Sequence, residues 1–131
     1  MVDNQLVQRP IPLPMELKKC GFLLKQEYRL AAAVAYSVTD IVTGEHHGYE
    51  VFEIRVQKPK TLPNGVEVPL KEKYPSSNNF GKWAFAPSTM KRALEIFIEI
   101  ELEEVAKYIE LMDTPQQIAK NLVRTEFEPS F

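Results

Sequence analysis

The segment Phe80-Gly81-Lys82-Trp83-Ala84-Phe85-Ala86-Pro87-Ser88 holds the single tryptophan of the chain and precedes a long amphipathic run that begins at Thr89. Its aromatic residues favour a strand, the proline ends that strand, and Ser88 is of a residue type that caps helices. The segment therefore predicts a strand at 80–86 that leads into a helix covering a sheet. Trp83 and Phe85 lie two residues apart on that strand, so we expect both to point into the core from one face.

Two strands are predicted upstream, at 22–24 and 29–43. In the second, apolar side chains recur at every other position from Leu30 to Val38, as they do on one face of a strand. The interleaved alanines also suit a helix. The β-branched residues at 38–43 favour the strand.

Residues 49–57 have the clearest strand pattern, because Phe52, Ile54 and Val56 alternate with charged or amide side chains. A turn at 44–48, with a glycine at each end, connects this strand to the preceding one. Strands on either side of a short turn usually pair antiparallel. We therefore predict an antiparallel sheet of about four strands.

Prolines shape two other segments. In residues 1–15, three prolines alternate with apolar residues, and each restricts itself and its predecessor to extended backbone. This predicts an extended, proline-rich arm. The connection at 58–79 contains four more prolines, so we expect no long regular element there apart from a short edge strand at 66–68.

The remaining pattern is helical. Apolar residues at helical spacing predict one continuous helix over 88–112. Near Ile100 the period briefly becomes that of a strand, which leaves a kink or break there as the alternative. A capping box then predicts a short last helix over 115–123. The sequence thus predicts one α+β domain at 16–124, with the long helix on one face of the sheet and an irregular tail at 125–131.

The composition limits the class of protein. A chain of 131 residues with 44% hydrophobic and 26% charged residues is typical of one soluble globular domain. Its longest apolar run, 31–36, is far shorter than the ~20 residues of a membrane helix, so we expect no membrane partner. The single cysteine, Cys20, excludes an internal disulfide and favours a reducing, cytoplasmic compartment.

Charge is unevenly distributed although the net charge is −2. Residues 55–92 contain eight Lys or Arg and two Asp or Glu, a balance of +6, whereas 93–131 contain three and nine, a balance of −6. In one interpretation the acidic helix neutralises the basic loop within one molecule. In the other, the basic residues form a surface for an anionic partner.

The second interpretation gives a candidate binding site in the region 58–82. Cationic and aromatic side chains together are typical of single-stranded nucleic acid binding, where cations contact phosphates and rings stack on bases. Tyr74, between Lys73 and Pro75, is expected to be exposed. The residues predicted to contact a protein or nucleic-acid partner are Lys58, Lys60, Lys71, Lys73, Tyr74 and Lys82.

His46 and His47 are the only histidines of the chain. As neighbours on a turn they would point in different directions, which is a poor arrangement for a metal ion. The alternative to a binding protein is a small hydrolase-like enzyme with its site near this turn, helped by Glu50 or Cys20. The sequence has no nucleotide-binding glycine motif, and we expect neither a metal nor a cofactor.

A resemblance adds to these patterns. The succession of Tyr49-Glu50-Val51-Phe52, Tyr74-Pro75-Ser76 and Phe80-Gly81-Lys82-Trp83-Ala84-Phe85, followed by a helix with Ala93 and Phe97, resembles a group of small uncharacterised phage and mobile-element proteins. Those chains share a YEVF strand, a P-S-x-x-x-F-G-x-x-A segment and a closing helix. The resemblance implies a small intracellular accessory protein, and it brings no assigned activity.

We therefore expect a non-enzymatic accessory protein that contacts a protein or nucleic acid through the basic loop region 58–82. The pattern also allows a homo-oligomer through the edge of the sheet or the long helix. This expectation would lose its ground if Lys71, Lys73 and Lys82 were paired with the acidic helix.

Overall fold

A computed structural model of the chain describes residues 9–112. This part forms a five-stranded antiparallel sheet with one long helix on one face, which confirms the predicted α+β class. The predicted helix at 115–123 and the tail at 125–131 lie outside the described residues. In chain order the elements are β1 (Glu16–Lys19), β2 (Phe22–Arg29), β3 (Ala33–Asp40), β4 (His46–Glu53), β5 (Val56–Gln57), β6 (Lys60–Thr61), β7 (Glu67–Val68), β8 (Lys71–Glu72), a short 3₁₀ turn (Ser77–Asn79), β9 (Ala84–Phe85) and α1 (Met90–Met112).

The strands form one main sheet and two small ribbons. In the main sheet β1, β2, β3, β4 and β9 are hydrogen-bonded in this order, and β5 pairs with β8 and β6 with β7. The sequence did not indicate β1. It joins β2 through Cys20-Gly21, whose φ angles of 51° and 87° are both positive, as in a type I′ hairpin turn. Cysteine is not among the residues that favour this turn, so the hairpin has no clear sequence signal.

The face of the sheet under α1 is lined by small side chains. Ala33 and Ala35 of β3 are fully buried there against Ile96, Phe97 and Ile100 of the helix. Because alanine has only a methyl group, the helix axis approaches the sheet closely at this point. The single 23-residue helix agrees with the prediction of one continuous helix.

A helix carboxylate also ties α1 to the sheet. Glu101 accepts hydrogen bonds from the backbone N–H groups of Ala32 and Ala33, both at 2.7 Å. These two residues mark the start of β3, where the backbone donors would otherwise lack partners. The contact therefore fixes the position of the helix along the sheet as well as its distance from it.

The other face of the sheet carries large side chains and is not open to solvent. Val34 and Tyr36 of β3 and Phe52 of β4 are fully buried there. They are covered by two segments without long regular structure, the N-terminal arm at 9–15 and the connection at 54–83. The sheet therefore lies between a helix on one side and a layer of loops on the other.

The predicted strand at 49–57 ends earlier than its pattern indicated. β4 stops at Glu53, which pairs with Ala33, the first residue of β3. One more backbone hydrogen bond follows this pair, from the N–H of Ile54 to the carbonyl of Ala32 at 2.8 Å. The chain then turns away, and Val56 begins a ribbon with β8. Val56 is exposed and does not share the buried face of Phe52. The short strand expected at 66–68 exists as β7, and it pairs with β6 outside the main sheet.

The predicted turn at 44–48 is displaced toward the N-terminus. The carboxylate of Asp40 accepts the N–H groups of Val42 and Thr43 at 2.8 and 3.0 Å, which closes the turn before β4 begins at His46. These hydrogen bonds hold the pKa of Asp40 below its usual range. A carboxylate that accepts backbone N–H groups favours its charged form, so the turn is built on an ionised Asp40.

Gly48 allows the strand-to-helix junction to dock on β4. It has a φ of +120°, and a Cβ atom added there would lie 2.9 Å from the carbonyl oxygen of Pro87. The next residue, Tyr49, donates its N–H to that same carbonyl at 2.9 Å. Only glycine combines this backbone conformation with so close an approach.

The junction itself differs from the predicted strand at 80–86. The N–H groups of Lys82 and Trp83 donate to the carbonyl of Asn79 at 3.0 and 3.2 Å, which closes a tight turn, so that only β9 (Ala84–Phe85) remains extended. Trp83 therefore lies in the loop-side cluster and Phe85 packs on the helix-side cluster, and the prediction that they share one face was wrong. The helix cap is also one residue later than predicted, because the Thr89 hydroxyl accepts the N–H of Arg92 at 3.2 Å.

Candidate functional site

The six predicted contact residues are divided among different places. Lys71, Lys73 and Tyr74 line a cavity of about 500 Å³. Lys60 lines a second, of about 430 Å³, within its own ribbon. Lys82 lines a third, of about 140 Å³, beside α1. Lys58 is exposed and lines none of these three. The structure therefore brings together only half of the predicted set.

The first cavity is enriched in lysine, and we call it the basic groove. It lies between the N-terminal arm, β1 and β8, and Leu13, Leu17 and two prolines form its apolar wall. The amide of Gln57 is its neutral polar side chain. In the part of the chain that the structure describes, four lysines line the groove: Lys18, Lys19, Lys71 and Lys73.

Two of these four lysines were missed by the sequence analysis. Lys18 and Lys19 belong to β1, which is far from Lys71 in sequence, and their only signal is that they are adjacent basic residues. Nothing in a short Glu-Leu-Lys-Lys segment shows that it forms an edge strand or which loop will lie beside it. Only the pairing of β1 with β2 places them at the groove.

Backbone hydrogen bonds hold the two sides of the groove together. The N–H of Ile11 donates to the carbonyl of Leu70 at 3.0 Å, and the N–H of Glu72 donates to the carbonyl of Ile11 at 2.9 Å. The arm therefore runs beside β8 like an added strand. At its other end the hydroxyl of Tyr36 donates to the carbonyl of Pro14 at 2.6 Å. Both ends of the groove wall are fixed to the domain.

Among the described residues, Glu72 is the one carboxylate that lines the groove, and its charge is compensated. Arg29 donates to its two oxygens at 2.6 and 2.5 Å, and the N–H of Leu13 donates to it at 2.9 Å. The Glu72 side chain is only 8% exposed. Hydrogen bonds from Arg29 above all, and from Leu13, hold the pKa of Glu72 below its usual range. The carboxylate is therefore paired with Arg29 and does not neutralise the lysines of the groove.

The lysines of the groove keep their charge unpaired. Within residues 9–112 the ion pairs are formed by Arg29, Arg55 and Arg92, and none involves a groove lysine. The acidic helix covers the opposite face of the sheet, where Lys82 lines a cavity with Glu99 and other residues of α1. Internal neutralisation by the helix therefore does not extend to Lys71 or Lys73.

Tyr74 is not exposed, although its neighbours Lys73 and Pro75 predicted an exposed ring. It is half-buried, its ring packs edge-on against Phe52 with centroids 5.6 Å apart, and its hydroxyl donates to Glu50. The ammonium of Lys19 lies 4.1 Å from the ring centroid. Burial, together with the Glu50 carboxylate, raises the pKa of Tyr74. The connection at 54–83 packs on the sheet and thereby encloses the ring of Tyr74.

Trp83 is not a stacking platform either. It is 6% exposed, and the guanidinium of Arg55 lies 4.6 Å from its ring centroid. A base could stack on this ring only after the arginine had moved away. Among the described residues, the groove therefore offers positive charge without an open aromatic face, which suits contacts to phosphate oxygens better than contacts to bases.

The histidines lie in β4 and not in a turn. The His46 ring packs edge-on against Tyr49, with centroids 4.8 Å apart, and the His47 ring packs against Phe22 at 4.9 Å. Both histidines are exposed, and none of the three cavities is lined by a histidine. Residues 9–112 contain no group of three or more His, Cys, Asp or Glu that could hold a metal ion. None of these three cavities brings a histidine together with Glu50 or Cys20, the arrangement expected for an enzyme at this position.

Comparison with known proteins gives no family. No protein-family model matches the chain, and no curated protein and no solved structure is significantly similar to it. The resemblance to phage and mobile-element proteins stays a prediction. Among the described residues, no helix is long and apolar enough to cross a membrane.

Proposed function

We propose that the protein is a non-enzymatic accessory module that binds the phosphate backbone of a single-stranded nucleic acid in the basic groove. The observation that carries this proposal is that, within residues 9–112, four lysines line one cavity and the single carboxylate beside them is paired with Arg29. Lysine contacts to phosphates position a strand without reading its sequence. Because neither Tyr74 nor Trp83 offers an open aromatic face, we expect binding that is weakly dependent on sequence and strongly dependent on salt.

The setting of this activity is part of the proposal. The resemblance described above suggests an accessory role in a phage or mobile element. The exposed thiol of Cys20 suits a reducing compartment, and we therefore place the protein in the cytoplasm. Both statements would be tested by finding the natural partner in the cell.

The first experiment measures binding to fluorescently labelled DNA and RNA, single- and double-stranded, over a series of salt concentrations. Each phosphate contact to a single strand contributes about −0.7 to the slope of log K against log salt. Four lysines in contact would give a slope of about −3. Absence of binding at low salt would contradict the proposal and direct the search to a protein partner.

Replacing two groove lysines is expected to weaken this binding. In the double variant Lys71→Ala/Lys73→Ala, the slope should become shallower by about 1.4, and affinity at low salt should fall roughly 10- to 100-fold for every sequence tested. The matched control is Lys58→Ala/Lys60→Ala, which removes the same charge from the same connection outside the groove. Equal losses in the two variants would show that net charge, and not the groove, determines binding.

A further inference from the structure

The positive charge of the basic groove continues onto a neighbouring arginine. In the ribbon of β5 and β8, Gln57 pairs with Lys71, and the N–H of Lys73 donates to the carbonyl of Arg55 at 2.9 Å. The same antiparallel register therefore places Arg55 opposite Lys73. Side chains two residues apart on a strand, and those directly opposite on its partner, share one face. We call this face the ribbon face; three of its members, Gln57, Lys71 and Lys73, line the groove, and Arg55 is the fourth.

The ring of Trp83 holds the two cations of the ribbon face near each other. The guanidinium carbon of Arg55 lies 4.6 Å from the ring centroid, and the ammonium nitrogen of Lys73 lies 6.0 Å from it. Trp83 is itself buried in the loop-side cluster, so that it is a rigid support for both. A cation over an indole ring is attracted by the ring electrons. The guanidinium is therefore held in place before any partner binds.

The fold compensates the charge of Arg55 only weakly. Its Nε donates to Glu53 at 3.3 Å, and the two side chains are 48% and 30% exposed. An exposed ion pair of this kind contributes little to stability. Within residues 9–112, the two terminal NH₂ groups of Arg55 donate no hydrogen bond, and Lys73 forms no ion pair. Like charges directly opposite each other on paired strands are unfavourable, so the ribbon face is suited to an anion that contacts both.

From this we infer that Arg55 is a fifth phosphate contact, and that the bound strand runs from the groove along the ribbon face to Trp83. The inference rests on the proposed function and extends its binding site. The terminal NH₂ groups of Arg55 can donate to two oxygens of one phosphate at once, a geometry that the guanidinium provides and an ammonium does not. A phosphate that contacts Arg55 and Lys73 together also removes the repulsion between them.

The test is the binding of labelled oligothymidylate to the full chain over a series of salt concentrations. In Arg55→Gln, the slope of log K against log salt should become shallower by about 0.7, and affinity at about 50 mM salt should fall about 5- to 10-fold. Arg55→Lys keeps the charge and loses the fork, so it should keep the slope and lose affinity about two- to threefold. Circular dichroism and thermal unfolding would show that each variant is folded at the temperature of the assay.

Two further variants separate a direct contact from an effect of charge alone. Arg92→Gln is the matched control, because Arg92 also forms an exposed ion pair, with Glu95, but lies on α1 at the other face of the sheet; its affinity should stay within about twofold of the wild type. Glu53→Gln/Arg55→Gln has the net charge of the wild type and should bind as weakly as Arg55→Gln. Wild-type affinity in this double variant would show that Arg55 only neutralises Glu53, and would overturn the inference.

The same measurements distinguish failure of this inference from failure of the proposed function. If Lys71→Ala/Lys73→Ala weakens binding while Arg55→Gln binds like the wild type, the groove binds the strand and Arg55 is not part of the site. Equal losses in Arg55→Gln and Arg92→Gln would likewise overturn the inference, because net charge would then explain both. If the wild type does not bind oligothymidylate at low salt, the proposed function fails, and the inference fails with it.

Discussion

Replacing Phe52 with alanine is expected to lower the free energy of unfolding by about 3–5 kcal/mol. The side chain is fully buried at the centre of the loop-side cluster. Its ring centroid lies 5.8 Å from that of Tyr36, 5.6 Å from that of Tyr74 and 6.4 Å from that of Trp83. Removal of the ring leaves a cavity between the sheet, the groove wall and the junction, and these three parts cannot all collapse into it.

Chemical denaturation followed by tryptophan fluorescence measures this effect. A loss of this size is a large part of the 5–15 kcal/mol that typically stabilises a domain, so Phe52→Ala could unfold outright. Phe52→Leu is the graded control and should lose about 1–2 kcal/mol. If Phe52→Ala cost less than about 1 kcal/mol, the loop layer could not be packed on the sheet as described.

Replacing Glu72 with alanine is expected to lower the free energy of unfolding by about 2–3 kcal/mol. The carboxylate joins β8 to Arg29 of β2 and to Leu13 of the arm, and its loss leaves a partly buried guanidinium without its partner. We place the cost below that of a fully buried pair because the Arg29 side chain is 32% exposed. Urea denaturation measures the change. The control is Glu67→Ala, which removes an exposed carboxylate from the same connection and should change stability by less than about 0.5 kcal/mol.

The contribution of Glu72 should depend on pH in one direction. Its pKa is lowered in the folded protein, whereas an unfolded glutamate titrates near about 4.3. The stabilisation is therefore complete above about pH 5 and is lost as the pH falls through the lower, folded pKa. The difference in unfolding free energy between wild type and Glu72→Gln should shrink as the pH is lowered from 7 toward 3. A difference that is constant over this range would show that the ion pair does not form in solution.

Much of the architecture could be predicted from local pattern. Alternation at 49–57 indicated β4, and helical spacing after Ser88 indicated α1, because each periodicity reflects burial on one side of one element. The same reasoning failed where burial depends on distant chain. Val56 has the pattern of a buried strand residue, yet β3 does not extend far enough to pair with it. The length of a partner strand cannot be inferred from the residue pattern of the strand that pairs with it.

The candidate site could be predicted only in part, for a similar reason. A cluster of lysines in a proline-rich connection indicated a basic surface, and Lys71 and Lys73 do lie at the groove. Lys18 and Lys19 also line the groove because β1 forms a hairpin with β2, and this hairpin has no clear sequence signal. Tyr74 follows Lys73 and precedes a proline, which suggests exposure, but the connection folds over the sheet and encloses its ring. The path of a long connection is decided by tertiary packing that single-residue patterns do not encode.

The most direct test of the groove is to locate binding residue by residue. Backbone amide chemical shifts of the full, ¹⁵N-labelled chain would be followed while a short oligothymidylate is added. If the strand lies in the groove, the largest saturable changes should occur in β1 (Glu16–Lys19) and at 71–74. Changes confined to 58–61 or to His46 and His47, or no saturable change at low salt, would contradict the assignment of the basic groove as the binding site.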